Sequence, residues 1–292
     1  MIIYCLVWIH LIKAYTIVVG GGISLQPKQN SNPNLPKFSI CIIHFNNVST
    51  IRTALESILS QITKDFEVVI VDNCSNDGSQ LILDEYAAPG IIRLVRKRSS
   101  RGLARQIALE NSSGEYIIAN MDMDDCFEPQ LLRLLSLYHA CCEGDLLWVR
   151  SNDPRGYWGG GGFTIAPRTL LIEMGGWRDL QVAEDWELAS RAAKIGKYKW
   201  SNFNLLQSVN AHDERKNWWR SFMFRYVKYR DMLRCGRQVF DRGEKVALSQ
   251  MLPYFLAKIA LPLFEKYNDP FNKTFDPYDK SYFVNLTVQE IA

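Results

Sequence analysis

No two of the seven cysteines stand in a C-x-x-C spacing; they fall at Cys5, Cys41, Cys74, Cys126, Cys141, Cys142 and Cys235. An odd, scattered set excludes a zinc ribbon and a disulfide framework. It fits reduced thiols in a cytosol-like compartment. Asn-x-Ser/Thr tripeptides such as Asn111-Ser112-Ser113 then carry no glycosylation meaning. A strong charge of one sign is also lacking: 34 Lys and Arg against 31 Asp and Glu leave a net charge of +3. That balance gives no argument for nucleic acid as a partner. Long clean apolar runs are missing too. The stretch "MIIYCLVWIHLIKAYTIVVGGGI" is broken by His10 and Lys13, short of the ~20 apolar residues of a spanning helix. It has neither the basic start nor the cleavage site of a signal peptide. Residues 1–25 read as an apolar N-terminal extension. "VVGGGISL" imitates a dinucleotide fingerprint, but Leu25 replaces its third glycine and a proline-rich run follows where a helix should. No internal repeat is present.

What is there is a foldable chain of 292 residues, 47% hydrophobic, enough for a real core. "QPKQNSNPNLPK" (26–37) is a polar linker. From residue 38 short apolar runs alternate with amphipathic ones. "FSICIIHF" (38–45), "FEVVIVD" (66–72), "GIIRLVR" (90–96), "EYIIANM" (115–121) and "DLLWV" (145–149) predict strands. Helices are predicted after Ser49 or Thr50, over "QLILDEYA", over 102–114 with Gly114 as its stop, over 129–142, over "PRTLLIEMGG" with proline in its first turn, and over 183–196. "RGYWGGGGFTIA" (155–166) reads as a glycine-rich passage. This alternation predicts an α/β fold with a doubly wound, mostly parallel sheet. Ligands of such sheets bind at the carboxyl ends of the strands. Three strand ends there are polar: His44-Phe45-Asn46, Asp72-Asn73 and Asp122 to Asp125.

The last of these, in "YIIANMDMDDCFEP", is the most charged. One aspartate suffices to cap the following helix. Three within four positions repel one another unless a cation sits among them, and hard oxygen donors suit Mg²⁺ or Mn²⁺ shared with substrate phosphates. An aspartyl-phosphatase motif belongs on a first strand, not a fourth. A calcium loop needs alternating acids, a mid-loop glycine and a closing glutamate, which are absent.

The segments "FSICIIHFNN", "ALESILSQITKDFEVVIVDNCSNDGS", "RGLARQIALENSSGEYIIANMDMDD" and "FTIAPRTLLIEMGGWRDLQVAEDWELASRAAKIG" together resemble the family 2 glycosyltransferases of the GT-A fold, over roughly residues 38–200. The resemblance implies a nucleotide-diphospho-sugar donor, a divalent cation (Mg or Mn) and a domain over 38–212. Phe45 would lie against the base, and Asp72 and Asn73 would bond base or ribose. Arg101 or Arg105 would meet the base or diphosphate. Asp122 would face ribose or metal, Asp124 would bind the metal, and His212 would complete its site. Asp185 matches the family's catalytic base, flanked on the acceptor side by Glu184 and Trp186. Glu187 and Asp179 are the next acids for that role, and Asp125 caps or supports.

The sequence departs from the family where a Pro-Thr-Tyr-Asn-like run is usual, reading Ile43-His44-Phe45-Asn46, and where Asn73 replaces a second aspartate. No Q-x-x-R-W segment of processive synthases is found. The implied activity is inverting transfer of a single sugar to an acceptor hydroxyl on a glycan, polysaccharide or lipid-linked molecule. The alternatives are a nucleotidyltransferase, which would carry a glycine-rich basic loop where "HFNNVSTIR" stands, and a non-catalytic sugar-nucleotide-binding module. Residues 213–292 form a basic, then apolar, helical extension. It suits peripheral contact with a membrane, and the expected location is cytoplasmic, at that membrane's cytoplasmic face.

Overall fold

The strand Phe38–His44 (β1) is buried along almost its whole length, as a strand covered on both faces must be. In the computed structural model it pairs in parallel with Phe66–Asp72 (β2) on one side and Tyr116–Asp122 (β4) on the other. The residues described are 36–123, 125–150, 162–203, 206–208, 218–236, 239, 247–267 and 275–286. Arg93–Arg96 (β3) extends the parallel set beyond β2. Beyond β4 come Gly162–Pro167 (β7), antiparallel to both neighbours, then Leu146–Arg150 (β6) and Tyr198–Asn202 (β8). The sheet order is β3-β2-β1-β4-β7-β6-β8, and Asp125–Phe127 (β5) forms a separate ribbon with Leu206–Ser208 (β9).

Helices cover both faces. Ile51–Leu59 (α1), Ser79–Ala87 (α2) and Leu131–Cys141 (α4) pack on the face carrying Ile40 and Ile42. Arg101–Glu110 (α3), Arg168–Glu173 (α5) and Glu184–Lys194 (α6) pack on the face carrying Cys41 and Val69. The expected doubly wound, mostly parallel sheet is therefore present, with one antiparallel strand inserted. Trp218–Arg234 (α7) and Leu248–Ala260 (α8) supply the helical C-terminal region. Further on, Phe275 and Leu286 enter the two cores. The Val284 amide donates to the Trp200 carbonyl at 2.9 Å, and the Tyr198 hydroxyl to the Pro277 carbonyl at 2.9 Å. This segment shields the outer edge of β8, which would otherwise be an open template.

Three local expectations are corrected. Strand β7 lies where a glycine-rich passage was read, because "FTIAP" follows four glycines. Gly114 does not stop α3, which ends at Glu110 with Asn111 as its cap. It is needed instead for close approach: a Cβ there would stand 2.5 Å from Ser39 Oγ and 2.7 Å from the β1 backbone. Pro167 sits at the N-cap of α5 rather than inside its first turn.

Gly114→Ala is therefore expected to cost about 1–3 kcal/mol by overpacking. A urea midpoint equal to wild type would remove this account of the glycine.

Candidate active site

Strand register, rather than sequence proximity, assembles the site. His44 of β1 lies directly beside Asp72 of β2, and Ile43 beside Asp122 of β4. The three polar strand ends read from the sequence thus share one edge. Asp72 is fully buried. Its Oδ1 accepts from the Ser75 hydroxyl at 2.6 Å and the Ser75 amide at 3.2 Å, while Arg96 Nε lies 3.5 Å from Oδ2. Asn73 Oδ1 accepts the Ser99 amide at 2.7 Å. Asn46 Oδ1 accepts the Asn76 amide at 2.9 Å. The loops after β1, β2 and β3 are laced together by these bonds, and Phe45 stands on them 51% exposed, a face open to a flat ligand.

His44 is buried, with Nε2 2.8 Å from Ser79 Oγ. Burial lowers its pKa, against the pull of Asp72 and Asp77, so it is a neutral support.

Asp122 is half-buried at the end of β4. Helix α4 starts at Leu131. Its N-cap is Gln130, with no side-chain capping bond, and Asp125 instead opens β5. Thr50 Oγ1 donates 2.8 Å to the Met123 carbonyl, and the Phe127 amide donates 3.0 Å to Ser57 Oγ. Helix α1 thereby holds the acidic loop from both ends. Asp124 and His212 lie outside the described residues. Among the described residues no group of three or more His, Cys, Asp or Glu could hold a metal ion. Asp122 is nonetheless a hard oxygen donor of the type that Mg²⁺ or Mn²⁺ accepts.

Arg105 connects this edge to the second acidic site. Only 4% exposed, it donates from Nε to Asn120 Oδ1 at 2.6 Å and places Nη1 3.4 Å from Glu184 Oε1. Asn120 is two residues before Asp122, and Glu184 is the residue before Asp185. Asn120 also donates to Thr164 Oγ1 of β7 at 2.7 Å. Burial raises the Glu184 pKa to about 7, opposed by Arg105, reinforced by Asp185 and opposed again by Arg101. Asp185, half-buried in the first turn of α6, accepts the Trp186 amide at 2.8 Å. Trp186 packs on the core below. Arg101 is exposed at the start of α3, one helical turn from Arg105.

The reserve acids have other work. Glu187 is buried between Arg191 at 2.8 Å and Arg178 at 2.9 Å. Asp179 accepts the Ser100 hydroxyl, which also caps α3 by accepting the Leu103 amide at 3.1 Å. Sequence reasoning missed Arg96, Asn120, Thr164 and Asp231. The arginine-rich stretch 93–105 was a usable signal for the first. Nothing marks the others before the strands are paired.

Backbone strain gathers at the same edge. The described non-glycine residues with positive φ are Asn46, Cys74, Asn120 and Ala183. Asn46, Cys74 and Ala183 border β1, β2 and α6, and Asn120 lies within β4, all elements beside candidate residues.

With this geometry in place, residues 39–149 match the family model described as glycosyl transferase family 2. The putative glycosyltransferase EpsE of Bacillus subtilis is 35% identical over 101 residues, 33% of this chain and 36% of that protein. The cholesterol galactosyltransferase of Borreliella burgdorferi is 32% identical over 101 residues, 34% of this chain and 28% of that protein. The chain thus spans about a third of the length of these relatives. Among solved structures, Staphylococcus aureus TarS 1–349 in complex with UDP-GlcNAc superposes with a TM-score of 0.54 at 17% identity, over 76% of this chain and 79% of that one. The mannosyltransferase PcManGT of Pyrobaculum calidifontis, in complex with GDP-Man and Mn²⁺, gives 0.54 at 19% identity, over 78% and 70%. These likenesses show the fold.

The Glu184 shift has a sign. Its folded pKa of about 7 exceeds its ordinary 4.5, so the folded state binds the proton more tightly. The stability this gives is full below about pH 4.5 and is lost as pH rises through 7, on the order of 3 kcal/mol. Glu184→Gln is expected to flatten urea stability between pH 4.5 and 8 relative to wild type. Parallel pH curves for the two proteins would refute the shift.

Proposed function

We propose that this chain, a family 2 glycosyltransferase by its segment 39–149 and of GT-A fold by its sheet, moves one sugar from a nucleotide-diphospho-sugar to an acceptor hydroxyl with inversion. The observation that carries the reading is the bridge through Arg105. It ties Asn120, beside the Asp122 end of β4, to Glu184, beside Asp185. A donor-side acid and an acceptor-side acid are thus held on two elements of one crevice. The donor base lies on Phe45, with ribose contacts from Asp122 and the loop bearing Asp72 and Asn73. Arg101 meets the diphosphate, and Arg105 sets the Glu184 side of the crevice. Asp122 and Asp124, with His212, are the residues that would hold a divalent cation, as hard oxygen donors and an imidazole can. When bound, that cation neutralises the charge of the departing nucleoside diphosphate. Asp185 takes the proton from the acceptor hydroxyl, so that attack comes from the face opposite the diphosphate. Trp186 and the Glu184 side of the turn border the acceptor.

Nucleoside diphosphate release from a panel of sugar nucleotides, with Mg²⁺ or Mn²⁺ and then EDTA, tests this reading. Asp185→Asn is expected to lower kcat by about 10²–10⁴-fold while diphosphate binding persists. Full transfer by that variant sinks the base assignment, and activity that ignores chelation sinks the metal. Release of pyrophosphate instead identifies a nucleotidyltransferase. Binding without turnover identifies a sugar-nucleotide-binding module.

A second surface supports a lipid-linked acceptor and contact with the cytoplasmic face of a membrane. Leu252, Phe255, Leu256 and Ile259 form one stripe on α8, with Ile259 74% exposed, and Leu263 continues it. Their spacing is that of an amphipathic helix whose apolar side faces outward. Trp218 and Trp219 are exposed at the start of α7. Lys228, Lys258 and Lys266 are exposed on the same elements or just beyond. Among the described residues no helix is long and apolar enough to cross a membrane. Apolar insertion flanked by lysines fits an anionic bilayer surface. Sedimentation with phosphatidylglycerol-containing vesicles is expected to capture the chain, and Phe255→Ser/Ile259→Ser to weaken capture by about tenfold or more. Equal capture of the variant, or a wild-type dimer that the same changes dissolve, counts against the membrane.

A further inference from the structure

The turn that delivers Asp185 is not stabilised by its own residues. Ala183, the N-cap of α6, adopts φ 66°, and no side chain caps the helix. Left-handed backbone at a residue with a Cβ is held only when its surroundings impose it. Here α3 supplies part of the surroundings, with the Gly102 amide on the Leu180 carbonyl at 2.9 Å and Arg105 3.4 Å from Glu184, and α7, about fifty residues on, supplies the clamp on the residues between. Asp231 of α7 is almost fully buried, and its Oδ2 accepts the Gln181 amide at 2.8 Å and the Val182 amide at 3.1 Å. Its Oδ1 takes Arg230 Nε at 2.8 Å and Nη2 at 2.7 Å, with Arg234 Nη1 at 3.6 Å. Arg234 also donates to the Asp179 carbonyl at 2.7 Å and to the Glu265 carbonyl at 3.0 Å. Two residues on one turn of α7 therefore fix the backbone at both 179 and 181–182.

A carboxylate buried this deeply needs every bond it can accept. Its two backbone donors are the amides just before the left-handed residue. If they are released, the turn keeps its contacts at Asp179, Leu180 and Glu184 but loses the pair directly before Ala183, and the first turn of α6 loosens. The next side chains are Glu184 and Asp185.

We propose that Asp231 is a positioning residue for sugar transfer: its carboxylate holds the Gln181–Ala183 turn in the one conformation that aims Asp185 at the acceptor hydroxyl. This rests on Asp185 being the proton acceptor. It goes further by placing control of that group in the C-terminal helix, outside the segment 39–149. Arg234 secures the same turn from the Asp179 side.

The full-length enzyme with Asp231→Ala and Asp231→Asn tests it. Asparagine retains an oxygen for the two amides; alanine does not. Asp231→Ala is expected to lower kcat by about 100-fold, the cost of misplacing a reacting group by about 1 Å. Binding of UDP or GDP with Mn²⁺, whichever the wild type takes, should change less than about threefold. Asp231→Asn should recover part of kcat, several-fold above alanine, since its oxygen still meets the two amides while its NH2 replaces the oxygen that faces Arg230 and Arg234. Amide exchange gives a readout independent of activity: Asp231→Ala should speed exchange at 181–187 and leave 103–110 in α3 unchanged. Faster exchange at 181–187 with unaltered kcat overturns the proposal. So does loss of diphosphate binding, melting temperature and kcat together, with asparagine no better than alanine. A wild type that neither binds a nucleoside diphosphate nor turns over any donor defeats the functional reading itself, and the positioning role with it. The exchange result then still shows whether Asp231 holds the turn.

Discussion

A guanidinium taken out of water needs a counter-charge and hydrogen-bond acceptors at once; Arg105 meets part of that demand by joining three elements, its Nη1 having an ion-pair partner at 3.4 Å but no hydrogen bond among the described residues. Its helix α3 supplies the cation, β4 supplies Asn120 and α6 supplies Glu184. Asn120 passes the constraint to Thr164 on β7. Removing one member of such a buried set strands the others, at a typical cost of about 3–5 kcal/mol. The arrangement therefore has little freedom to slide. Where Arg105 goes, the end of β4 and the start of α6 go together, and with them Asp122 and Asp185. The cost of the arrangement appears in Glu184, whose ionised form is disfavoured by burial even beside the arginine.

The polar edge shared by β1, β2 and β4 was readable before any strand was paired. β2 matched its sequence run residue for residue, since "FEVVIVD" has no other amphipathic reading. The polar residues at the ends of β1, β2 and β4 could be assigned to one edge because parallel sheets put their ligands there. What could not be read was what depends on pairing. β7 is antiparallel, short and preceded by glycines, so its local signal resembles a loop. Asn120 sits inside an apolar run and looked like a strand residue of no consequence; only its left-handed backbone and its place opposite β7 give it a role. Gly114 looked like a helix stop because a helix end and a close backbone approach both select glycine. Asp231 lay in a basic, aromatic stretch where one acid among many cations reads as surface charge.

Strain explains part of the site's form. Left-handed backbone costs on the order of 1–3 kcal/mol at residues with a Cβ, yet Asn46, Cys74, Asn120 and Ala183 all adopt it. Each has a local reason. Asn46 trades its side chain for a bond to the β2–α2 loop. Cys74 lies in the turn that wraps the Asp72 carboxylate. Asn120 is held from both sides by Arg105 and Thr164, and Ala183 follows two amides clamped by Asp231. A chain selected only for stability would relax these positions with glycine. Their retention beside the acidic groups is what preorganisation requires, because a rigid site need not reorganise during reaction.

The two halves also differ in how they are built. The half at the ends of β1, β2 and β4, the donor side under the proposed function, comes from elements that follow in order, β1, β2, β3, α3 and β4, although Thr50 and Ser57 reach across to Met123 and Phe127. Under the proposed function its task is to hold a base, a ribose and a diphosphate. The match to the family model covers it and ends at residue 149. The other half, the acceptor side under the proposed function, is assembled from β7, α6 and α7, with Phe275–Leu286 closing the far edge of the sheet. Its bonds cross the chain at long range, as between Gln181 and Asp231 or Tyr198 and Pro277. Such contacts leave no short motif in the sequence. Long-range bonds of this kind make the proposed acceptor side harder to read from the sequence than the donor side, since nothing near Gln181 announces the carboxylate of Asp231 that its amide meets.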